Sequence, residues 1–97
     1  MATIEKKSWP EYFEKVRRKR RNFDMRLDDF DVREGDVYIL REYDPVRKKY
    51  TGRVLRRRVG DVMKFKPYAV PFYLDEDIEK KGLQVISLEF SDEDAPA

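Results

Sequence analysis

Trp9-Pro10-Glu11-Tyr12-Phe13-Glu14-Lys15-Val16-Arg17-Arg18-Lys19-Arg20-Arg21-Asn22-Phe23-Asp24-Met25-Arg26-Leu27 changes period halfway along. In the first half Trp9, Tyr12, Phe13 and Val16 stand at i, i+3, i+4 and i+7, the spacing of one helical stripe. Ser8 followed by Glu11 fits a capping box, and Pro10 falls in the first turn, where its missing N–H costs little. Six of the seven residues 15–21 are cations, which suits the negative end of a helix dipole. The spacing predicts a helix over 9–19. After residue 21 the pattern alternates: Phe23, Met25 and Leu27 share one face of a strand, Asp24 and Arg26 the other.

The same rules extend outward. Residues 3–7 read as a short strand ahead of the helix. Asp28-Asp29 ends the second strand, and Phe30 and Val32 anchor a short extended piece. Glu34-Gly35-Asp36 turns the chain into Val37–Tyr43, a strand of strong β formers. Asp44-Pro45 opens a loop. Tyr50 to Phe65 reads as one long strand, with Gly60-Asp61 inside it either a hairpin turn or, as the absence of flanking turn residues favours, a bulge. Pro67 and Pro71 mark a loop, residues 75–81 a helical turn closed by Gly82, and Leu83–Phe90 the last strand. The acidic stretch 91–97 reads as a disordered tail, leaving one domain over 1–90. One helix and five or six strands predict an α+β, mainly β chain: a small closed or half-closed barrel with the helix across one opening.

Composition narrows the chemistry. The 97 residues contain neither Cys nor His, which excludes disulfides, thiolate or imidazole metal sites and His-based triads. No apolar run reaches the ~18 residues of a membrane span, so the expected setting is the cytoplasm, with no membrane partner. Lys80-Lys81-Gly82 lacks the glycines and the following Ser or Thr of a phosphate loop. The acidic runs at 28–31 and 75–79 lack calcium-loop spacing. No cofactor or metal is expected. The net charge of +2 conceals four blocks: +5 over 1–26, −5 over 27–44, +8 over 45–66 and −6 over 67–97. Basic blocks that meet in space generate a field whatever the total.

The cations fall in three clusters, at 15–21, at Arg47-Lys48-Lys49 and at Arg53 with Arg56-Arg57-Arg58. Consecutive arginines on a strand point to opposite faces, so at least one of the last three is expected to face a cleft and to meet Asp24, Glu42 or an anionic ligand. Tyr38, Tyr43, Tyr50, Phe65, Tyr68, Phe72 and Tyr73 lie among these charges. Phe65 and Phe72 are expected in the core, and Tyr43 and Tyr50 partly exposed beside the 44–49 loop, where bases stack on such rings.

Four segments taken together resemble a small bacterial and phage domain of unknown function within the PUA-like ASCH superfamily: Trp9 to Val16, Phe23 to Arg26, Val32 to Pro45, and Tyr50-Thr51-Gly52-Arg53. The resemblance covers about residues 5–62 and implies a PUA-like β-barrel, a cleft beside the helix and a role with nucleic acid. The superfamily signature of glycine, lysine, glutamate and arginine falls on Lys19, Arg21, Asp24 and Arg26, of which only the arginine is unchanged. In hydrolytic relatives the motif lysine serves the chemistry; Arg21 stays protonated and does not replace it. The resulting expectation is an RNA-binding or other nucleic-acid-binding module with a basic cleft. Asp24 and Arg26 line it, Arg41 and Arg53 reach it from neighbouring strands, Lys19, Arg20 and Arg21 grip the backbone, and Tyr43 and Arg57 complete the set. The alternative is a ribonuclease or modified-nucleoside amidohydrolase using Asp24, the best-placed candidate, or Glu42 or a tyrosine. A protein-interaction or phage accessory module is the second alternative.

Overall fold

The computed structural model describes residues 1–66 and 75–89. The expectations for Pro67, Tyr68, Pro71, Phe72, Tyr73, Phe90 and the tail at 91–97 lie outside these residues. The elements run β1 (Thr3–Ser8), α1 (Pro10–Arg17), β2 (Phe23–Leu27), β3 (Val37–Asp44), β4 (Lys49–Phe65), α2 (Asp75–Lys81) and β5 (Leu83–Glu89). The strands form one curled half-barrel sheet in the order β1-β3-β4-β5-β2. Only the β1–β3 pair is parallel; the rest are antiparallel. No described helix is long and apolar enough to cross a membrane.

Alternation along β3 sets an inside and an outside. Tyr38, Leu40 and Glu42 are buried, whereas Arg41 is exposed. Opposite them Leu55, Arg57 and Val59 of β4 turn inward, and Arg56 and Arg58 outward. Phe13 and Val16 of α1 join the inner cluster with Tyr38, Leu40, Leu55, Val59, Ile86 and Leu88, so the helix lies on the inner face. The bulge reading holds: β4 runs unbroken through Gly60-Asp61 while its register against β5 shifts between Val59 and Val62. A β-carbon on Gly60 would meet the Ser87 hydroxyl at 2.6 Å, so a larger residue there would force the Ser87 side chain to turn away.

The helix differs from the expectation at both ends. Ser8 is buried as the last residue of β1, paired in register with Glu42, and no side chain caps α1. The reason is Pro10: the residue before a proline is driven from helical backbone, and Trp9 sits at φ −67, ψ 151. The helix therefore starts one residue later, and Ser8 stays in the ladder. Of the four-residue stripe only Phe13 and Val16 are buried; Trp9 and Tyr12 are 50% and 39% exposed. Tyr12 and Phe13 stand about 100° apart on the helix, and two turns resting on a curled sheet bury a narrower stripe than that.

At the far end Lys19 takes φ 61. The Lys19 N–H donates to the Val16 carbonyl at 3.0 Å and the Arg20 N–H to Lys15 at 2.9 Å. These are the two bonds of a Schellman motif, with lysine where glycine is usual. Lys19→Gly should raise stability by about 0.5–1 kcal/mol, because left-handed backbone disfavours a β-carbon. Lys19→Val should lower it, because branching worsens the clash. Urea unfolding of the three proteins should rank them Gly, Lys, Val.

Candidate functional site

The nine residues singled out from the sequence divide among five places. Asp24 and Arg26 meet where the sheet curls. Arg26 Nε donates to Asp24 Oδ2 at 2.8 Å, and the Tyr38 hydroxyl donates to the same oxygen at 2.6 Å. Arg26 Nη2 reaches across to the Lys7 carbonyl of β1 at 2.7 Å. The polar face of β2 is thus the one turned toward wholly buried Tyr38, and Phe23 on the opposite face is 42% exposed. Alternation along this strand separates the two faces but leaves open which of them turns inward. An edge strand that meets a tyrosine hydroxyl and a foreign strand's backbone needs polar groups there. Burial, then the Asp24 charge, push the Tyr38 phenol well above its ordinary range.

Arg53 stands apart from this pair. Its Nη2 bonds Glu14 Oε1 of α1 at 2.7 Å, and its Nε lies 3.7 Å from Glu42 Oε1. Glu42 also accepts the Thr51 hydroxyl at 2.7 Å. Tyr38 and Glu42 are four residues apart on β3, roughly 13 Å, with Leu40 between them. The inner face therefore carries two separate carboxylate–arginine clusters. Glu14 additionally bonds Arg17 and Arg18. The Arg17 and then the Arg53 hydrogen bonds hold its carboxyl far below the usual range.

Three residues depart from a shared cleft. Arg57 is buried beneath α1 and donates to the Val16 carbonyl at 3.2 Å and the Arg56 carbonyl at 3.1 Å. It is the inward arginine of its triplet, but it caps the helix end and does not reach a ligand surface. Arg41 and Tyr43 lie on the outer face, because β3 alternates and Tyr38, Leu40 and Glu42 occupy the inner one. Arg41 lies over the Tyr50 ring at 4.7 Å, and Tyr43 meets Tyr50 edge-on at 5.2 Å.

Lys19, Arg20 and Arg21 do stay together, just past the helix. The Arg21 guanidinium lies 5.4 Å from the Tyr12 ring and 5.3 Å from the Phe23 ring. Lys15, Arg20 and Arg21 make no ion pair among the described residues. Three contributors escaped the sequence reading. Lys6 lies 3.5 Å over Phe30, and burial, then repulsion by Arg26, lower its amine. Its inward direction follows only from the parallel register with β3. Tyr12 and Phe23 were assigned to apolar faces. The Glu14 spacing to Arg17 and Arg18, three and four residues on, was the legible signal for that pairing.

Residues 3–72 match the profile of the family described as "Domain of unknown function (DUF3850)". No curated protein matches the chain. Among solved structures, one titled "Crystal structure of hypothetical protein PH0355" superposes with a TM-score of 0.69 at 19% identity, covering 92% of this chain and 98% of that one. At that identity the likeness is one of fold.

Two carboxyls make stability acid-sensitive. Glu14 is depressed by its arginines. Asp36 is depressed by N–H bonds from Ala2 and Arg33, at 2.9 Å each. Folded values below unfolded ones near 4 mean that their contribution is full above pH ~4.5 and is lost as pH falls through the depressed folded values. Glu14→Gln should lower stability at neutral pH and flatten the acid limb, as read from urea midpoints between pH 2 and 7. An unchanged acid limb would show that Glu14 is not its source.

Proposed function

The chain belongs to the DUF3850 family, and we propose that this member binds nucleic acid, RNA by preference, through the surface at the end of α1. One observation carries the reading. Arg21 is held between the partly exposed rings of Tyr12 and Phe23, amid the cations Lys15, Lys19 and Arg20. Ring and guanidinium planes are the platforms on which unpaired bases stack, and surrounding cations neutralise phosphates. The two inner clusters are less suited, since Arg26 and Arg53 already face carboxylates at 2.7–2.8 Å. An anion arriving there would have to compete with Asp24, Glu14 and Glu42. The proposed basic surface is therefore the helix end and the start of β2, with Arg26 and Arg53 holding the scaffold beneath it.

The finer fold reading, a PUA-like barrel of the ASCH type, belongs to the same proposal. Its support is local. Lys19, at the position that the superfamily signature reserves for glycine, adopts the left-handed backbone that glycine would take. A left-handed turn at this position is what supports the finer reading.

Fluorescence anisotropy with single-stranded RNA across a salt series tests the reading. Binding should weaken linearly in log K against log salt. Arg20→Glu with Arg21→Glu should reduce the slope by about 1.4, since each single-strand phosphate neutralised by a cation accounts for roughly 0.7. Phe23→Ala should weaken binding by about 1–3 kcal/mol with little change in slope, since it removes stacking and not charge. Wild-type affinity in the double variant would remove the helix end from the site.

A further inference from the structure

Two non-glycine residues among those described have left-handed backbone, and both are lysines: Lys19 at φ 61 and Lys48 at φ 55. Each stands inside a basic run, 15–21 in one case and Arg47-Lys48-Lys49 in the other. A glycine would relieve either turn. Strain retained with a charged side chain points to the charge as what the turn presents.

The second run is built as firmly as the first. The Asp44 carboxylate accepts the N–H groups of Val46 at 2.9 Å and Arg47 at 3.2 Å, which fixes the tip between β3 and β4. Behind the tip the outer sheet face carries a row of cations and rings across three strands. Lys7 of β1 lies 4.1 Å over Tyr43, Tyr43 meets Tyr50 edge-on, and Arg41 covers Tyr50. Arg58 points out from the same face. Lys7, Lys48, Lys49 and Arg58 make no ion pair among the described residues, and Arg41 and Arg47 have exposed pairs at 3.8 Å. Exposed pairs at that distance are worth little. A hollow lined by Asp44, Arg47, Lys49, Tyr50 and Thr51 opens beside the tip, its one carboxylate already engaged by the Val46 and Arg47 N–H groups.

This surface is separate from the helix end. The helix packs on the inner face, whereas Lys7, Arg41 and Arg58 are on the outer one. Along β3 the tip is also roughly 20 Å from the level of Tyr38 and Arg57, six residues at strand rise. We infer that the hairpin tip and outer face form a second phosphate-binding surface, so that one chain holds two segments of nucleic acid at once, one on each side of the sheet. The inference rests on the nucleic-acid reading of the helix end and adds a second site to it. The occupant is the phosphodiester backbone. The complementary features are solvent-facing cations, two of them, Lys7 and Arg41, seated on rings that orient them without neutralising them. Such contacts hold backbone of any sequence.

Bridging tests this directly. Two non-complementary single-stranded RNAs, one donor-labelled and one acceptor-labelled, are mixed with protein at a concentration where sedimentation shows a single chain. The wild type should give energy transfer. Arg47→Glu with Lys48→Glu and Lys49→Glu should abolish transfer while one labelled strand still binds. Arg47→Ala with Lys49→Ala, which leaves the strained Lys48 backbone untouched, should reduce transfer in the same direction. Arg20→Glu with Arg21→Glu should also abolish transfer and keep single-strand binding, now at the hairpin. Wild-type transfer in both hairpin variants would overturn the second site and leave the helix-end reading intact. Loss of all binding in the hairpin variants, with full binding kept in the helix-end variant, would overturn the helix-end reading and the two-segment inference, leaving the hairpin as a single site. An aspartate- and glutamate-rich peptide bound at the tip of a chain that binds no RNA at low salt would overturn both.

Discussion

A single carboxylate oxygen closes the sheet. Asp24 Oδ2 receives the Tyr38 hydroxyl and the Arg26 guanidinium, and Arg26 passes on to a backbone carbonyl of β1. β2 and β1 are the two edges of the five-stranded order. Side-chain bonds thus span the gap that a closed barrel would fill with a ladder. Hydrogen bonds to charged groups contribute about 1.5–3 kcal/mol each when partly desolvated. The same bonds give a polar partner to an edge that would otherwise template aggregation. Because Tyr38 is wholly buried, this polar closure is joined to the apolar core and resists opening independently of it.

The helix is tied down by a comparable device. Arg57 lies under the last turn of α1 and donates to the Val16 carbonyl, one of the orphan acceptors of the helix end. On the other side Glu14 holds Arg53 of β4 together with Arg17 and Arg18 of its own helix. Charge burial of this kind is expensive unless hydrogen bonds satisfy it. Here those bonds also set the height and direction of the helix. The left-handed turn at Lys19 follows one residue beyond the helix cap, so the exposed cations after it are placed by the buried one beneath it.

The consequence is a division of labour among the arginines. Those facing inward, Arg26, Arg53 and Arg57, bind carboxylates or carbonyls of the protein itself. Those beside the strained turns and on the outer face are turned toward solvent. A scaffold of internal pairs that presents two external basic surfaces on opposite sides of one sheet is physically coherent. The internal pairs resist salt better than the external charges do, because partial burial limits screening. The fold should then remain intact over a salt range that screens the external charges.

Much of the architecture was legible in the residues. The change of period after Arg21, the strand formers of 37–43, the Glu34-Gly35-Asp36 turn, the bulge at Gly60-Asp61 and the glycine closing α2 are local signals, set by backbone sterics and alternation. The same signals mark Lys19 to Arg21 as one basic group past the helix. What they left open is direction. Alternation states that Arg56 and Arg57 oppose each other, and that Asp24 opposes Phe23, but not which of them faces in. That choice depends on strand order, on the parallel pairing of β1 with β3 and on the curl that carries β2 round to meet Lys7. Those contacts join residues far apart in the chain. They put Arg57 and Asp24 inside, turned Arg41 and Tyr43 out, brought Lys6 inward and left Tyr12 and Phe23 in solvent around Arg21. The pattern along the chain determined which residues lie on a common face; only the tertiary pairing decided which face meets the core, because burial is a property of the sheet and helix together and of no segment alone.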